Sequence, residues 1–204
     1  TIKLYHQIII ITLCFLCLPF SLLSADWNSV LNGTADISSI IDSLPENEIE
    51  NLENELNGCI DLECKLKAQL KLGAILVATR QPDKAIPILE TALSSSNNPV
   101  YITFAQLTLG RALVHTKETV TSEKLLRLAL LSANQQNLDL WAGDAGIALS
   151  VISRWQMDLA GALKYREDAF VAYKKAHYFK GQARSLHYIA TIHALKGNLI
   201  KANN

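Results

Sequence analysis

Four times along the chain an aliphatic residue is followed by a small one: Leu72-Gly73, Leu109-Gly110, Leu149-Ser150 and Ile189-Ala190. The small members lie 37, 40 and 40 residues apart. Twelve residues after Gly73, Ser150 and Ala190 stand Ala85, Ala162 and Ala202, and Ala92 and Ala169 follow seven residues later in two of these copies. A period of this size marks helical units that cannot bury their apolar faces alone and must stack on one another. Small residues at fixed offsets suit points where two helices cross closely. The second copy departs from the pattern. Its link, from His115 to Ser122, reads as about three residues longer, with Leu125 and Ala129 in the places of the expected small and large residues. The clearest copy is residues 184–202, RSLHYIATIHALKGNLIKA. It reads as a helix, a turn at Lys196-Gly197-Asn198 and a second helix starting at Leu199, with Ala190 and Ala202 at the crossing.

Composition agrees with helix. Leu, Ala, Lys and Glu dominate, glycine and proline are sparse at 9 and 5, and no segment alternates apolar and polar residues for long. The periodicity and the breaks predict helices over about residues 61–79, 82–93, 100–115, 121–133, 138–156, 158–176 and 181–195. The expected fold class is all-α.

The first 60 residues have a different character. Residues 1–25 carry Lys3, an apolar run over 8–18, Pro19 and a small-residue end at Ser24-Ala25, which is the three-part pattern of a secretory signal peptide. The run is short for a membrane span, which needs ~20 apolar residues; an uncleaved anchor is the alternative. Residues 26–60 form an acidic lead-in whose apolar positions Trp27, Val30, Leu31, Ile37, Ile40, Ile49, Leu52 and Leu56 suit short amphipathic helices. Between Asp26 and Glu63 there are ten acidic residues and no Lys or Arg, whereas from Cys64 onward eighteen basic residues face nine acidic ones. Such asymmetry can mark a nucleic-acid binder. An export signal argues against that, and the acidic arm is expected to pack on or near the basic part.

With these residues in view, the chain resembles the tetratricopeptide repeat family over residues 61–204. The first copy supplies Leu72, Gly73, Leu76, Ala85, Leu89, Ala92 and Pro99, and the last Leu186, Ile189, Ala190, His193, Gly197 and Ala202. Ser153 and His193 stand where the family has an aromatic, and Arg166 stands where it has a large apolar residue. The spacing near forty exceeds the family's usual ~34, as in the long-helix variety of bacterial regulatory proteins. The resemblance implies a right-handed solenoid of antiparallel helix pairs, with the last pair incomplete and the natural protein continuing beyond Asn204. It also implies a concave groove lined by the first helix of each pair. Carried across, the groove positions are Phe104, Leu107, Arg111, Val114 and His115 in the second copy, Asp144, Ile147, Val151, Arg154 and Trp155 in the third, and Arg184, His187, Thr191 and Leu195 in the fourth. Trp155 reads equally well as a packing residue. The family's terminal-carboxylate clamp is not supported, because its places hold Leu70, Ala74, Leu107 and Arg111.

Cys59 and Cys64 are the cysteines left once residues 1–25 are set aside. In an oxidising compartment such a pair closes a disulfide. The bridge needs Cys59 in the turn after Gly58 and a helix start near Asp61, because residues five apart on one helix are too distant; two free thiols are the alternative. The histidines at 115, 177, 187 and 193 form no i, i+4 pair, and no phosphate-binding glycine loop or nucleophile motif is present. The sequence thus carries no catalytic, metal or cofactor motif. It points to an exported binding protein with a protein or peptide ligand. The lead expectation is the periplasmic sensing region of a membrane signalling protein, with a kinase or diguanylate cyclase output elsewhere. A free-standing periplasmic scaffold is the alternative, and a homodimer is compatible with either.

Overall fold

The structure is a computed structural model that describes residues 26–41 and 44–202; residues 1–25, where a signal peptide is expected, lie outside the described residues. Among the described residues every regular element is a helix. The lead-in forms α1 (Trp27–Leu31), α2 (Ser38–Ile41) and α3 (Glu48–Gly58). Paired helices follow: α4 (Leu62–Ala78) with α5 (Pro82–Ser95), α6 (Pro99–Thr116) with α7 (Thr119–Gln135), and α8 (Asp139–Trp155) with α9 (Leu159–Lys175). The last helix is α10 (Phe179–Ala202). Each helix from α3 onward packs on the next, and the first helices α4, α6 and α8 also touch across pairs.

Five of the six links from α4 to α10 share one chemistry, the exception being Ser96–Asn98 between α5 and α6. Arg80, Lys117, Asn137, Met157 and His177 all adopt positive φ, between 53° and 65°. In each case the following residue's N–H reaches back to a carbonyl five residues earlier: Gln81 to Leu76, Glu118 to Leu113, Leu138 to Ala133, Asp158 to Ser153 and Tyr178 to Tyr173. These are Schellman caps, which satisfy the orphan carbonyls of a helix end and reverse the chain in few residues. Asp61, Asn98 and Asp158 then open their helices by accepting from the backbone N–H of Cys64, Val100 and Gly161.

Small residues sit at the crossings, as the repeat predicts. A Cβ on Gly73 would lie 2.5 Å from Leu89, and one on Gly110 would lie 2.7 Å from Leu126. The second copy, however, keeps step. Lys117-Glu118 is the whole link between α6 and α7, and Ser122, Leu126 and Ala129 fill the places of Ala85, Leu89 and Ala92. The Ser122 hydroxyl donates to the Gly110 carbonyl at 2.7 Å. A hydroxyl that bonds the neighbouring backbone behaves here as a small residue, which is why the sequence pattern looks broken there.

The end of the chain also differs from expectation. Helix α10 runs without a break through Lys196, Gly197 and Asn198, and Gly197 does not take positive φ. Leu186 and Ala190 are exposed rather than at a crossing, while Gly181, Ser185 and Ile192 form the buried side. A glycine in a helix interior costs only about 1 kcal/mol relative to alanine, so Gly197 does not by itself force a turn.

Candidate functional site

The lead-in lies on the face made by the first helices. Helix α1 packs on α4 and α6, and α2 packs on α4. Val30, Leu31, Ile37 and Ile40 are buried there. Gly33, at φ 72°, brings the backbone to within 3.0 Å (from its ideal Cβ position) of Leu138 and 3.2 Å of Trp141. Any side chain would be strained at this φ and would collide with both. Beyond it Asp36 accepts a hydrogen bond from the Tyr178 hydroxyl, across 142 residues of sequence. The arm is fastened at its other end as well. Trp27 Nε1 donates to Glu48 at 3.3 Å, Lys71 pairs with Glu55 at 2.7 Å, and a disulfide joins Cys59 to Cys64 with Cα atoms 5.5 Å apart.

This placement divides the candidate groove residues. Phe104 belongs to the groove face but is not open to a partner. It is 4% exposed, tilted against Trp141 with ring centroids 5.2 Å apart, and the arm's Val30, Ala35 and Ile37 close over it. The expectation that Phe104 lines a free groove is therefore corrected: the chain's own apolar arm covers it. Arg111, His115, Asp144 and Arg184 lie past the arm and line a depression of about 180 Å³ with Val114, Ile147 and Val151. Arg154 lines a smaller cavity next to it, with Val151 shared between the two. Trp155, at the end of α8, is 46% exposed and lines neither of these two cavities. His187 is exposed on α10 and meets the Tyr188 ring edge-on at 5.6 Å.

Asp144 is the centre of the polar part. Its carboxylate accepts from the Tyr173 hydroxyl at 2.5 Å and from Arg184 Nη2 at 3.3 Å, and Arg184 also reaches the Tyr173 hydroxyl at 3.0 Å. Burial pushes the Asp144 carboxyl above the usual range, more than Arg111 pulls it back, and the nearby Asp36 adds to the rise. Gly143 lets the Tyr173 ring approach α8, since a Cβ there would lie 2.5 Å from the ring. Burial, with Arg80 and Arg111 nearby, holds His115 below its ordinary value, which keeps the ring neutral at pH 7. The depression thus offers aliphatic walls, the His115 imidazole, and two guanidinium groups, Arg111 and Arg184, against the one carboxyl of Asp144. Among the described residues no group of His, Cys, Asp and Glu is arranged to hold a metal ion.

Sequence reasoning expected the acidic arm to pack on or near the rest of the chain but not on which face, and it missed the Asp36–Tyr178 contact and the Tyr173–Asp144–Arg184 cluster. The alternation of apolar residues in 26–41 was the available signal for burial, but it does not say against what. No described helix is long and apolar enough to cross a membrane. No protein-family model matches the chain, and no curated protein matches it.

Proposed function

We propose that this chain is an exported, right-handed solenoid of tetratricopeptide type that binds a protein or peptide segment along α6, α8 and α10. In this reading it is the periplasmic sensing region of a membrane signalling protein, with the output domain outside these residues. The observation that carries it is the depression bounded by Arg111, Ile147, Val151 and Arg184, which continues the face already occupied by the arm. The arm is a worked example of the ligand. It is a short acidic segment whose aliphatic side chains enter the face and whose carboxylate at Asp36 meets a hydroxyl. A partner of the same type, acidic with aliphatic anchors, complements the open half. Arg and exposed aromatic groups are the usual high-energy contacts of such surfaces.

The test is selection of peptides from a random display library on the intact protein, followed by affinity measurement. Peptides that seat in the depression lose tenfold or more in affinity with Arg111→Ala and with Ile147→Asp, and the loss shrinks at high salt for the arginine alone. Selected peptides that bind both variants as well as the wild type sink the groove assignment. A second reading, a free-standing scaffold or homodimer, is favoured by the exposed Leu186 and Leu195 on α10.

A further inference from the structure

The third helix pair breaks the apolar rule at its crossing. Sixteen residues after the small residue of each first helix, pairs one and two place Leu89 and Leu126, which fill the notch at Gly73 and Gly110. The third pair places Arg166 there, 2% exposed. Its guanidinium lies over the Tyr188 ring, 3.9 Å from the centroid, and its Nη1 is buried with no hydrogen-bond partner. Ser150, the small residue of this pair, donates its hydroxyl to the Ile147 carbonyl at 2.8 Å and accepts nothing from Arg166 Nη1. No described carboxylate pairs with Arg166. The ions that act on it are Arg184 and Arg154, of its own sign. Burial and these neighbours lower its pKa to about 10, so it stays charged at neutral pH.

A buried guanidinium with a free N–H and no counter-ion is destabilising, and an apolar side chain of similar size does better in such a place. Leucine does so twice in this same chain. The arginine therefore serves something other than packing. It borders a cavity lined by Ser150, Val151, Arg154, Tyr188 and Thr191, which opens beside the groove at Val151. The cavity is about 10 Å³, room for one oxygen atom or water.

We propose that Arg166 and Arg154 form an anion site that takes a carboxylate entering between α8 and α10. One carboxylate oxygen fills the cavity and accepts from the buried Nη1; the other faces Arg154, which is half-exposed and has no ion pair among the described residues. The space admits one oxygen, and a carboxylate can place one oxygen there while its second stays free for Arg154. The charge-assisted bond so formed is of the strong kind, and Tyr188 shields it from water. This site stands whether or not a peptide occupies the neighbouring depression.

The experiment is thermal unfolding of the intact chain at constant ionic strength, with sodium chloride exchanged for sodium acetate or supplemented with a blocked peptide whose sole carboxylate is a Glu side chain. At tenfold excess over its dissociation constant, a bound carboxylate raises Tm by roughly 3–6 °C. A rise with acetate assigns the site to free carboxylates; a rise with the peptide alone assigns it to carboxylates delivered by a chain. Arg166→Leu copies pairs one and two, so it keeps or raises Tm in chloride and abolishes the response. Arg154→Ala, at a half-exposed position that tolerates truncation, raises the half-saturating concentration at least fivefold. No Tm rise with either probe, or an undiminished rise in both variants, overturns the proposal.

Discussion

Gly143→Ala tests whether the Tyr173–Asp144–Arg184 cluster is as rigid as its geometry indicates. The added methyl would stand 2.5 Å, 2.7 Å and 2.8 Å from three ring atoms of Tyr173. The ring cannot yield freely. It is fully buried, its hydroxyl is held by Asp144 at 2.5 Å, and Tyr178 packs edge-on with centroids 5.4 Å apart. Overpacking of this kind costs about 1–3 kcal/mol. A displaced ring also gives up its bond to a buried carboxylate, about 1–3 kcal/mol more. Replacing glycine within a helix returns about 1 kcal/mol. The net is a loss of roughly 1–5 kcal/mol, or a fall in Tm of roughly 2–20 °C for a domain of this size. Gly73→Ala is the control. Its added methyl meets Leu89 just as closely, at 2.5 Å, but that side chain can change rotamer without breaking a polar contact. Its expected cost is about 0–2 kcal/mol. Urea unfolding of both variants, and of Gly143→Ala in a Tyr173→Leu background, closes the cycle. Leucine vacates part of the ring's volume, so Gly143→Ala should cost little or nothing there. An equal cost in both backgrounds would refute the claim that the tyrosine ring is what the methyl meets.

Three further outcomes follow from the same contacts. Leu31→Ala removes a side chain buried between the arm and the repeats, and at about 2–5 kcal/mol it should release the arm before the repeats unfold; new protease cuts between residues 26 and 47 at unchanged repeat helicity are the sign. Asp144 is faced by Arg111 from α6, Asp36 from the arm, Tyr173 from α9 and Arg184 from α10, and burial raises its pKa in the folded state. The folded protein therefore holds a proton that the unfolded chain has lost, from about pH 4 up to the raised value, so stability falls as pH rises through that window. Asp144→Asn, which still accepts from Tyr173, has no such slope; its Tm should gain on wild type with rising pH, and parallel pH profiles would contradict this. Reduction of the Cys59–Cys64 bridge opens a very short loop and should cost about 2 kcal/mol, detected as faster hydrogen exchange confined to the α3–α4 junction.

How far the sequence carried is best judged at the turns and the crossings. Gly73, Gly110, Ala85 and Ala162 were legible because a close helix crossing tolerates no large side chain, whatever else surrounds it. Ser122 was not, because its smallness depends on a hydrogen bond to Gly110 that no spacing rule displays. Five of the six reversals between α4 and α10 use Arg80, Lys117, Asn137, Met157 and His177 in the left-handed region, none of them glycine. The reversal expected at Gly197 rested on the residue type most permissive of that conformation, and the chain stays helical there. A left-handed non-glycine residue costs ~1–2 kcal/mol, so each of the five must be held by what the reversal makes possible, namely a second helix long enough to bury its apolar face on the first. Turn residues here are therefore consequences of packing on either side. The same logic separates the two kinds of site residue. Arg111, Asp144, Arg154 and Arg184 follow from helical phase, which is local. The closure of Phe104 by the arm, and the meeting of Asp36 with Tyr178, are long-range and surface only once the chain is folded. Arg166 stands between these cases. Its departure from an apolar position was visible in the sequence, but a charge at such a position usually points to solvent. Burial to 2% and an orphaned Nη1 are what turn the departure into a site.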